Sequence, residues 1–290
     1  MCSTLVSEGE SHPGEIGGIP GLEQTSMMKK HALITSLIAL GLLALTPEAR
    51  AQRPWASAGD SQLALGGSFP SAGFPWQALS PHLPAINSEQ LGKNLARRAR
   101  GLSPQVATLA LEASSCAAVS GGAPRARYLA IIDFSQPSTA RRFWLFDAVG
   151  ERLLEQSLVA HGRNSGELFA TEFSNTPGSL QSSLGLFYAD EPYIGQHGQS
   201  LRLQGLEASF NDKAYDRAIV IHGAPYVSDS HISRYHRLGR SLGCPALPLN
   251  TAPRAISTLQ QGAFLFAYYP DQSYLSSSKL LNCPHRRARA

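Results

Sequence analysis

The chain has 290 residues, is 43% hydrophobic and carries a formal net charge of +4. A chain of this length and composition is long enough to bury the core of one medium-sized domain. The weak charge, with one short basic run at residues 285–289, argues against a nucleic-acid-binding protein.

The first 51 residues are predicted to be absent from the mature protein. Residues 1–26 are polar and Gly-rich, and indicate an extension upstream of a true start at Met27 or Met28. Residues 27–51 then combine a short basic start, an apolar run and a final Ala-Arg-Ala, the order typical of a secretory signal peptide. We therefore expect a mature chain that begins at Gln52, lies in the periplasm or cell envelope and has no stable membrane span. A retained membrane anchor is the alternative.

The remaining chain divides by composition. Residues 52–87 are rich in Pro, Gly and Ser and read as a linker. Residues 88–122 have helical spacing, with Ser103 as an N-cap and Pro104 in the first turn. A mainly β domain is predicted for 123–270, and 271–290 is predicted to be a polar and basic tail.

The β domain is predicted from short apolar runs separated by turn residues. The predicted strands are 128–134, 142–146, 153–160, 184–188, 201–203, 218–221 and 263–269, with a short helix at 253–261 before the last.

Three cysteines follow the signal peptide: Cys116, Cys244 and Cys283. An odd number in an oxidising compartment implies one thiol outside any intramolecular disulfide, or an intermolecular bond. A bond between Cys244 and either other cysteine, and a Cys116–Cys283 bond, are both open.

The segment around Cys244 has the features of a nucleophile site. A predicted strand ends at His222, and Gly243 and Pro245 build a tight turn around Cys244. A cysteine nucleophile needs an imidazole to hold it as thiolate, and backbone N–H groups to bind the oxyanion. His222 is preferred as the base because it lies at a strand end.

His231 and His236 are weaker candidates for the base because they lie in a polar loop. Zinc held by Cys244 and histidines is the rival chemistry. No CxxC, HxxxH or HExxH motif is present, so we expect neither a metal nor another cofactor.

These residues resemble murein L,D-transpeptidases of the YkuD type. That family has a His-Gly pair followed by Ser/Thr-His-Gly-Cys, matched here by His222-Gly223 and by SLGC at 241–244. The motifs VAHGRNSG (159–166), FSN (173–175), SSLGLFY (182–188) and GRSLGCPA (239–246) resemble a divergent branch of the family. Two departures are Leu242 in place of the motif histidine and an apparent insertion at 226–238.

The resemblance implies a β-sandwich or barrel-like catalytic domain over 123–270 that acts on peptidoglycan stem peptides. It implies Cys244 as nucleophile, His222 as base oriented by a carbonyl near Ser241, and amides of Gly243 and Cys244 as oxyanion donors. A cysteine thioester would form at the L,D bond and be resolved by an amine or by water. A non-catalytic peptidoglycan-binding protein is the contrasting hypothesis.

The substrate-contact candidates flank this motif. Arg237 and Arg240 would clamp a peptide carboxylate or form structural ion pairs. His161, Arg163 and Asn164 would line the cleft or close a turn. Two further residues, Asn211 and Asp212, are predicted to be turn residues.

Overall fold

The computed structural model of the protein describes residues 87–120, 123 and 126–283. The predicted extension at 1–26, the signal peptide at 27–51 and all but the last residue of the linker lie outside the described residues. The basic end of the predicted tail, from residue 284, also lies outside them.

The helical segment consists of two helices, α1 (Ser88–Arg98) and α2 (Pro104–Val119). Side chains cap both, since Asn87 accepts a hydrogen bond from the Gln90 N–H and Ser103 accepts one from the Gln105 N–H. The helices cross closely at Gly92, where a Cβ would lie 2.3 Å from the Thr108 hydroxyl oxygen. The predicted helical segment, with Ser103 as its second N-cap, is confirmed.

Eight strands form one sheet in the order β3-β2-β1-β8-β4-β5-β6-β7. Neighbouring strands are antiparallel except for the β1–β8 and β6–β7 pairs, which are parallel. The strands are β1 (Tyr128–Asp133), β2 (Phe143–Asp147), β3 (Arg152–Ser157), β4 (Gly185–Gly195), β5 (Gly198–Gly205), β6 (Val220–Gly223), β7 (Ala246–Leu247) and β8 (Ala263–Tyr268).

The two ends of this sheet approach each other. The chain continues past β3, and Ala160 forms an antiparallel bridge with Ala246 of β7. A second bridge joins Gly162 to Ser241. The sheet is therefore nearly closed and barrel-like, and the predicted mainly β fold with a preceding helical segment is confirmed.

The centre of the sheet is buried on both faces. Strands β2 and β8 are buried at every position, which explains their apolar runs FWLF and AFLFAY, and Asp147 at the end of β2 is paired with Arg127 and Arg152. Helix α2 packs against β1, β4 and β8, and a short helix, α4 (Ala252–Leu259), packs against β1, β5, β6 and β8. This rigid centre carries β6, the strand that holds His222.

Two segments differ from the sequence prediction. The apparent insertion at 226–238 contains a helix, α3 (Asp229–Tyr235), capped by the Ser228 hydroxyl. The predicted polar tail contains α5 (Gln272–Ser277), whose Tyr274 is fully buried. A tail with a few well-spaced apolar residues gives a weak sequence signal, yet here it packs against the domain.

Glu207 and a disulfide fix this C-terminal segment. The buried Glu207 carboxylate accepts hydrogen bonds from the Leu186 N–H at 2.7 Å, from the Tyr274 hydroxyl at 3.0 Å and from the Ser278 hydroxyl. Cys283 forms a disulfide with Cys116 of α2. Residues 271–283 of the predicted polar and basic tail are therefore packed against the domain.

Within the described residues, none of the helices has both the length and the apolar character needed to cross a membrane.

Candidate functional site

His222 lies at the buried end of β6, opposite Ser200 of β5. Its Nδ1–H donates a hydrogen bond to the Gly223 carbonyl oxygen at 3.0 Å. This bond leaves the Nε2 lone pair unprotonated, and Nε2 makes no hydrogen bond to any group in the described part of the chain. The carbonyl that orients His222 is therefore that of Gly223, and the expectation of one near Ser241 is wrong.

Burial keeps the His222 imidazole neutral. Its pKa is lowered to about 4, mainly by desolvation, which outweighs the opposing hydrogen bond to Gly223, and to a smaller extent by His197. A histidine with this pKa is uncharged at pH 7. It fits a general base that accepts a proton better than an imidazolium that holds a thiolate by its charge.

His197 stacks on His222, with ring centroids 4.4 Å apart and an angle of 26° between the planes. It lies in the hairpin between β4 and β5, whose turn uses Gly198 at a φ of 72°. Sequence reasoning missed His197, because an imidazole in a hairpin turn carries no motif.

Cys244 lies in a tight turn that Ser241 holds together. The Ser241 hydroxyl donates to the Cys244 carbonyl oxygen at 2.6 Å and accepts from the Gly243 N–H at 3.1 Å. Gly243 has a φ of 123°, a conformation that residues with a side chain rarely adopt. The Gly243 amide is therefore already engaged in this structure, and the predicted oxyanion role would require it to be released from Ser241.

The sulfur of Cys244 is buried against the start of β6. The Val220 N–H donates to Sγ at 3.4 Å, and the Ala218 carbonyl oxygen lies 3.6 Å from Sγ. His222 lies two residues after Val220 on β6 and pairs with Ala246 of β7, two residues after Cys244. The predicted nucleophile and base are thus close along the chain of β6 and β7, without a hydrogen bond from Nε2 to the sulfur.

The cysteines of the described residues are oxidised in this structure. Cys116 pairs with Cys283, so neither of them is bonded to Cys244. The Cys116–Cys283 pairing that the sequence left open is confirmed. Nucleophilic chemistry at Cys244 belongs to its reduced form.

Three predicted motifs meet at this turn. The Ser182 hydroxyl donates to the Gly243 carbonyl oxygen at 3.1 Å and accepts from the Gly162 N–H at 3.0 Å. A Cβ on Gly162 would lie 2.5 Å from the Leu180 carbonyl oxygen and 2.9 Å from the Gly243 Cα. Residues 159–166, 182–188 and 239–246 therefore pack together without space for a side chain at Gly162.

His161 is part of the interior and does not line a cleft. It is buried, accepts a hydrogen bond at Nδ1 from the Arg142 guanidinium at 2.7 Å, and donates from Nε2 to the Gly166 carbonyl oxygen at 3.2 Å. Burial, followed by the charge of Arg142, lowers its pKa to about 3. With both ring nitrogens bonded, the structure favours the alternative in which His161 closes a turn.

Arg142 is a buried cation that sequence reasoning missed. Its guanidinium donates to the Gln136 and Val159 carbonyl oxygens and lies 5.1 Å from the centre of the Phe134 ring. Burial lowers its pKa to about 9. The sequence signal for this buried cation is the position of Arg142 directly before the apolar strand β2.

Arg237 and Arg240 are paired with one carboxylate. Glu167 lies 2.9 Å from the Arg237 Nε and 2.6 Å from the Arg240 Nη1. Arg240 also donates to the Arg163 and Gly166 carbonyl oxygens. The structure therefore favours the structural ion-pair alternative for both arginines.

Asn164 closes the turn that follows, because its side-chain amide donates to the Ser179 carbonyl oxygen at 2.9 Å. The side chain of Arg163 is exposed. Asn211 has the predicted turn role, since its Oδ1 accepts from the Glu207 N–H at 2.8 Å, and its buried amide also joins this turn to β4 by donating to the Leu184 and Leu186 carbonyl oxygens. The Asp212 carboxylate accepts from the Ser209 N–H at 2.8 Å, in the same turn.

The FSN motif lines a groove of about 280 Å³ between residues 171–175 and α5. This groove does not include Cys244 or His222 among its lining residues.

His231 and His236 are both in or next to α3, where His236 ends the helix with a left-handed backbone. No cluster of three or more metal-ligating side chains occurs among the described residues.

Comparison with known proteins identifies a family. A model of the L,D-transpeptidase catalytic domain matches residues 98–268. No curated protein matches the chain. The resemblance predicted from the motifs is confirmed by the family match.

Solved structures of L,D-transpeptidases are also similar to the chain. One from Mycobacterium smegmatis shares 13% identity at a TM-score of 0.32, over 49% of this chain and 59% of that one. One solved in complex with imipenem shares 12% identity at a TM-score of 0.31, with the same coverages of 49% and 59%. One from Stackebrandtia nassauensis shares 12% identity at a TM-score of 0.29, over 65% and 93%. This chain thus covers 59% of the length of each of the first two.

Proposed function

Because the chain belongs to the L,D-transpeptidase catalytic domain family, we propose that it is an exported enzyme that modifies peptidoglycan through Cys244. The substrate is a murein stem peptide cleaved at the bond between its third, L-centred residue and a terminal D-amino acid. Export follows from the signal-peptide pattern of residues 27–51.

In the proposed reaction, Cys244 forms the new bond and His222 carries the proton that is transferred. The reduced Cys244 sulfur attacks the carbonyl carbon of the third residue as its proton passes to His222 Nε2. Collapse of the tetrahedral intermediate breaks the C–N bond, the proton passes to the leaving D-amino acid, and a thioester remains. An acceptor amine then gives a cross-link, or water gives a shortened peptide.

One observation carries this proposal: His222 presents an unprotonated, unbonded Nε2 on the strand against which the Cys244 sulfur packs. A buried polar atom normally has a partner. An orphaned imidazole nitrogen beside a cysteine turn is the arrangement expected of a base that bonds only when substrate is present.

A non-catalytic envelope protein is the second candidate, and two observations favour it. Cys244 is fully buried, and the Gly243 amide is occupied by Ser241. A catalytic role therefore requires the turn to open towards substrate.

The test is turnover of a synthetic stem tetrapeptide by the reduced protein, with products identified by mass spectrometry. We expect a dimer or a tripeptide from the wild type and neither from Cys244→Ser, because a serine hydroxyl is not ionised at neutral pH. The Cys116→Ala/Cys283→Ala variant is the matched control and should retain turnover.

Carbapenem labelling supplies a second measurement. A mass adduct on the Cys244 peptide, lost in Cys244→Ser, is expected. A serine variant with near-normal turnover would remove Cys244 from the chemistry. A wild type inactive on all stem peptides, and unlabelled, would favour the binding protein. N-terminal sequencing of the exported protein should begin at Gln52.

A further inference from the structure

Arg217 reaches the Gly243–Cys244 turn from the loop that precedes β6. A Cβ placed on Gly243 would lie 3.5 Å from the Arg217 Nη2 atom. The next residue, Ala218, has its carbonyl oxygen 3.6 Å from the Cys244 sulfur. The guanidinium is therefore a direct neighbour of the turn that holds the sulfur.

The Arg217 guanidinium donates hydrogen bonds to four neutral acceptors. Nη1 donates to the Ser174 carbonyl oxygen at 2.6 Å and to the Ser183 hydroxyl at 2.5 Å. Nη2 donates to the Ser179 hydroxyl at 3.2 Å and to the Gln181 carbonyl oxygen at 2.6 Å. Within the described residues, the ion pairs formed by arginines do not include one with Arg217.

This setting leaves a positive charge uncompensated in a partly buried place. Burial lowers the pKa of Arg217, which shows that the charge is costly there, yet arginine remains protonated in proteins. The Arg217 guanidinium is held by these four hydrogen bonds and would have to break them to bind a substrate carboxylate. It is therefore suited to act through its field on a nearby anion and unsuited to direct contact with the peptide.

We propose that Arg217 stabilises the thiolate of Cys244 through its charge, as a positioning residue; this rests on the proposed function of Cys244 as the nucleophile. A nearby opposite charge favours the ionised form of a thiol, and the Arg217 guanidinium lies beside Gly243, the residue before Cys244. His222 does not supply that charge, since it is neutral at pH 7.

The other charged or titratable side chains around the turn do not replace Arg217. His161 is neutral, Arg240 is paired with Glu167, and Arg163 is exposed. Asp216 precedes Arg217 in the chain and is also exposed.

The test measures the rate of Cys244 alkylation by iodoacetamide against pH in the reduced, full-length protein, with peptide-resolved mass spectrometry to separate the cysteines. We expect Arg217→Gln to raise the midpoint by about one pH unit, so that alkylation at neutral pH slows about tenfold. Arg217→Lys keeps the positive charge but not the planar guanidinium. In this variant the midpoint of Cys244 alkylation should lie within about 0.3 pH unit of the wild-type value.

Two controls separate charge from architecture. Arg254→Gln removes an exposed arginine that is paired with Glu155 and should leave the midpoint unchanged. Ser179→Ala/Ser183→Ala removes two acceptors of Arg217 without removing its charge, and should also leave the midpoint unchanged.

A wild-type midpoint in Arg217→Gln would overturn the proposal, as would a shift in Arg217→Lys as large as that in Arg217→Gln. If the glutamine variant does not fold, the lysine and serine variants still decide the matter, because a raised midpoint in either contradicts a charge effect. The titration needs no substrate. Failure of Cys244→Ser to abolish turnover would therefore reject the proposed function without changing the titration result.

Discussion

His161 and His222 are both buried histidines that sequence motifs place at strand ends, and they differ in what their ring nitrogens do. His161 uses both nitrogens, one towards Arg142 and one towards the Gly166 carbonyl oxygen. His222 uses only Nδ1. Burial lowers the pKa of each, to about 3 and about 4. The comparison teaches that burial alone does not set the two histidines apart, whereas the unused Nε2 makes His222, and not His161, the candidate base.

The sharpest test of the comparison is the loss of activity in His222→Ala. We expect kcat on a stem tetrapeptide to fall by about 10²-fold or more, because general base catalysis contributes factors of this size. The melting temperature should also fall, because a buried imidazole that stacks on His197 is removed, so kcat is measured where the variant is folded. His231→Ala is the matched control and should keep wild-type kcat. Equal losses in the two variants would reject His222 as the base.

His161→Ala is expected to act on stability. Removing the imidazole leaves the buried Arg142 guanidinium without one of its acceptors, which costs about 3 kcal/mol of unfolding free energy. Denaturant unfolding measures this loss. His161→Gln keeps an acceptor for Arg142 and should recover most of the stability. If His161→Ala unfolds like the wild type but loses turnover, the roles of the two histidines have been exchanged.

Acidification should destabilise the protein before its carboxylates titrate. Both histidines have a folded pKa well below the ordinary value of 6.5, so the unfolded chain binds protons first as the pH falls. Stability contributed by the neutral imidazoles is therefore complete above about pH 6.5. Below it, stability falls by up to about 1.4 kcal/mol per pH unit for each histidine.

The measurement is denaturant unfolding between pH 7.5 and 4.5, compared with His161→Gln. The variant should show a smaller slope because it has one fewer buried imidazole. Superimposable slopes would show that His161 is not buried as a neutral side chain in solution.

The smallest effect is expected from Glu167→Gln, which tests the arginines beside the two histidine sites. The Glu167 side chain is 66% exposed, so its ion pairs with Arg237 and Arg240 contribute less than about 1 kcal/mol to stability. We expect kcat and KM to stay at wild-type values. A marked fall in KM for a peptide with a free terminal carboxylate would instead restore the carboxylate clamp predicted from sequence.

Much of the fold follows from local patterns. Strands β1, β2 and β8 are mostly apolar runs bounded by turn residues, and Ser103-Pro104 begins a helix as predicted. Strand β4 extends beyond its predicted 184–188. Its second half was missed because those residues are largely exposed and include Pro192. Helix α5 was missed because its stability depends on Glu207 and on the Cys116–Cys283 disulfide. Glu207 and Cys116 are both distant in sequence from the helix.

The candidate site was also predicted only in part, because local patterns mark its turn but not the partners of its side chains. The motif glycines marked the turn at Gly243 correctly, since a φ of 123° needs a residue without a side chain. The roles of the flanking polar side chains were not predictable, because each depends on which partner lies within hydrogen-bond distance. Glu167 satisfies Arg237 and Arg240, whereas Arg217 has only neutral acceptors.

The sequence by itself determined the strand and helix periodicities, the tight turn at Cys244 and the family to which the chain belongs. These depend on side-chain type and on short spacings, which are local properties of a chain. Only the tertiary structure decided which histidine keeps a free nitrogen, which arginines are neutralised and which cysteines pair. Those outcomes depend on desolvation and on distances between residues far apart in sequence, such as Arg217 and Gly243, which the chain fixes only when the sheet closes.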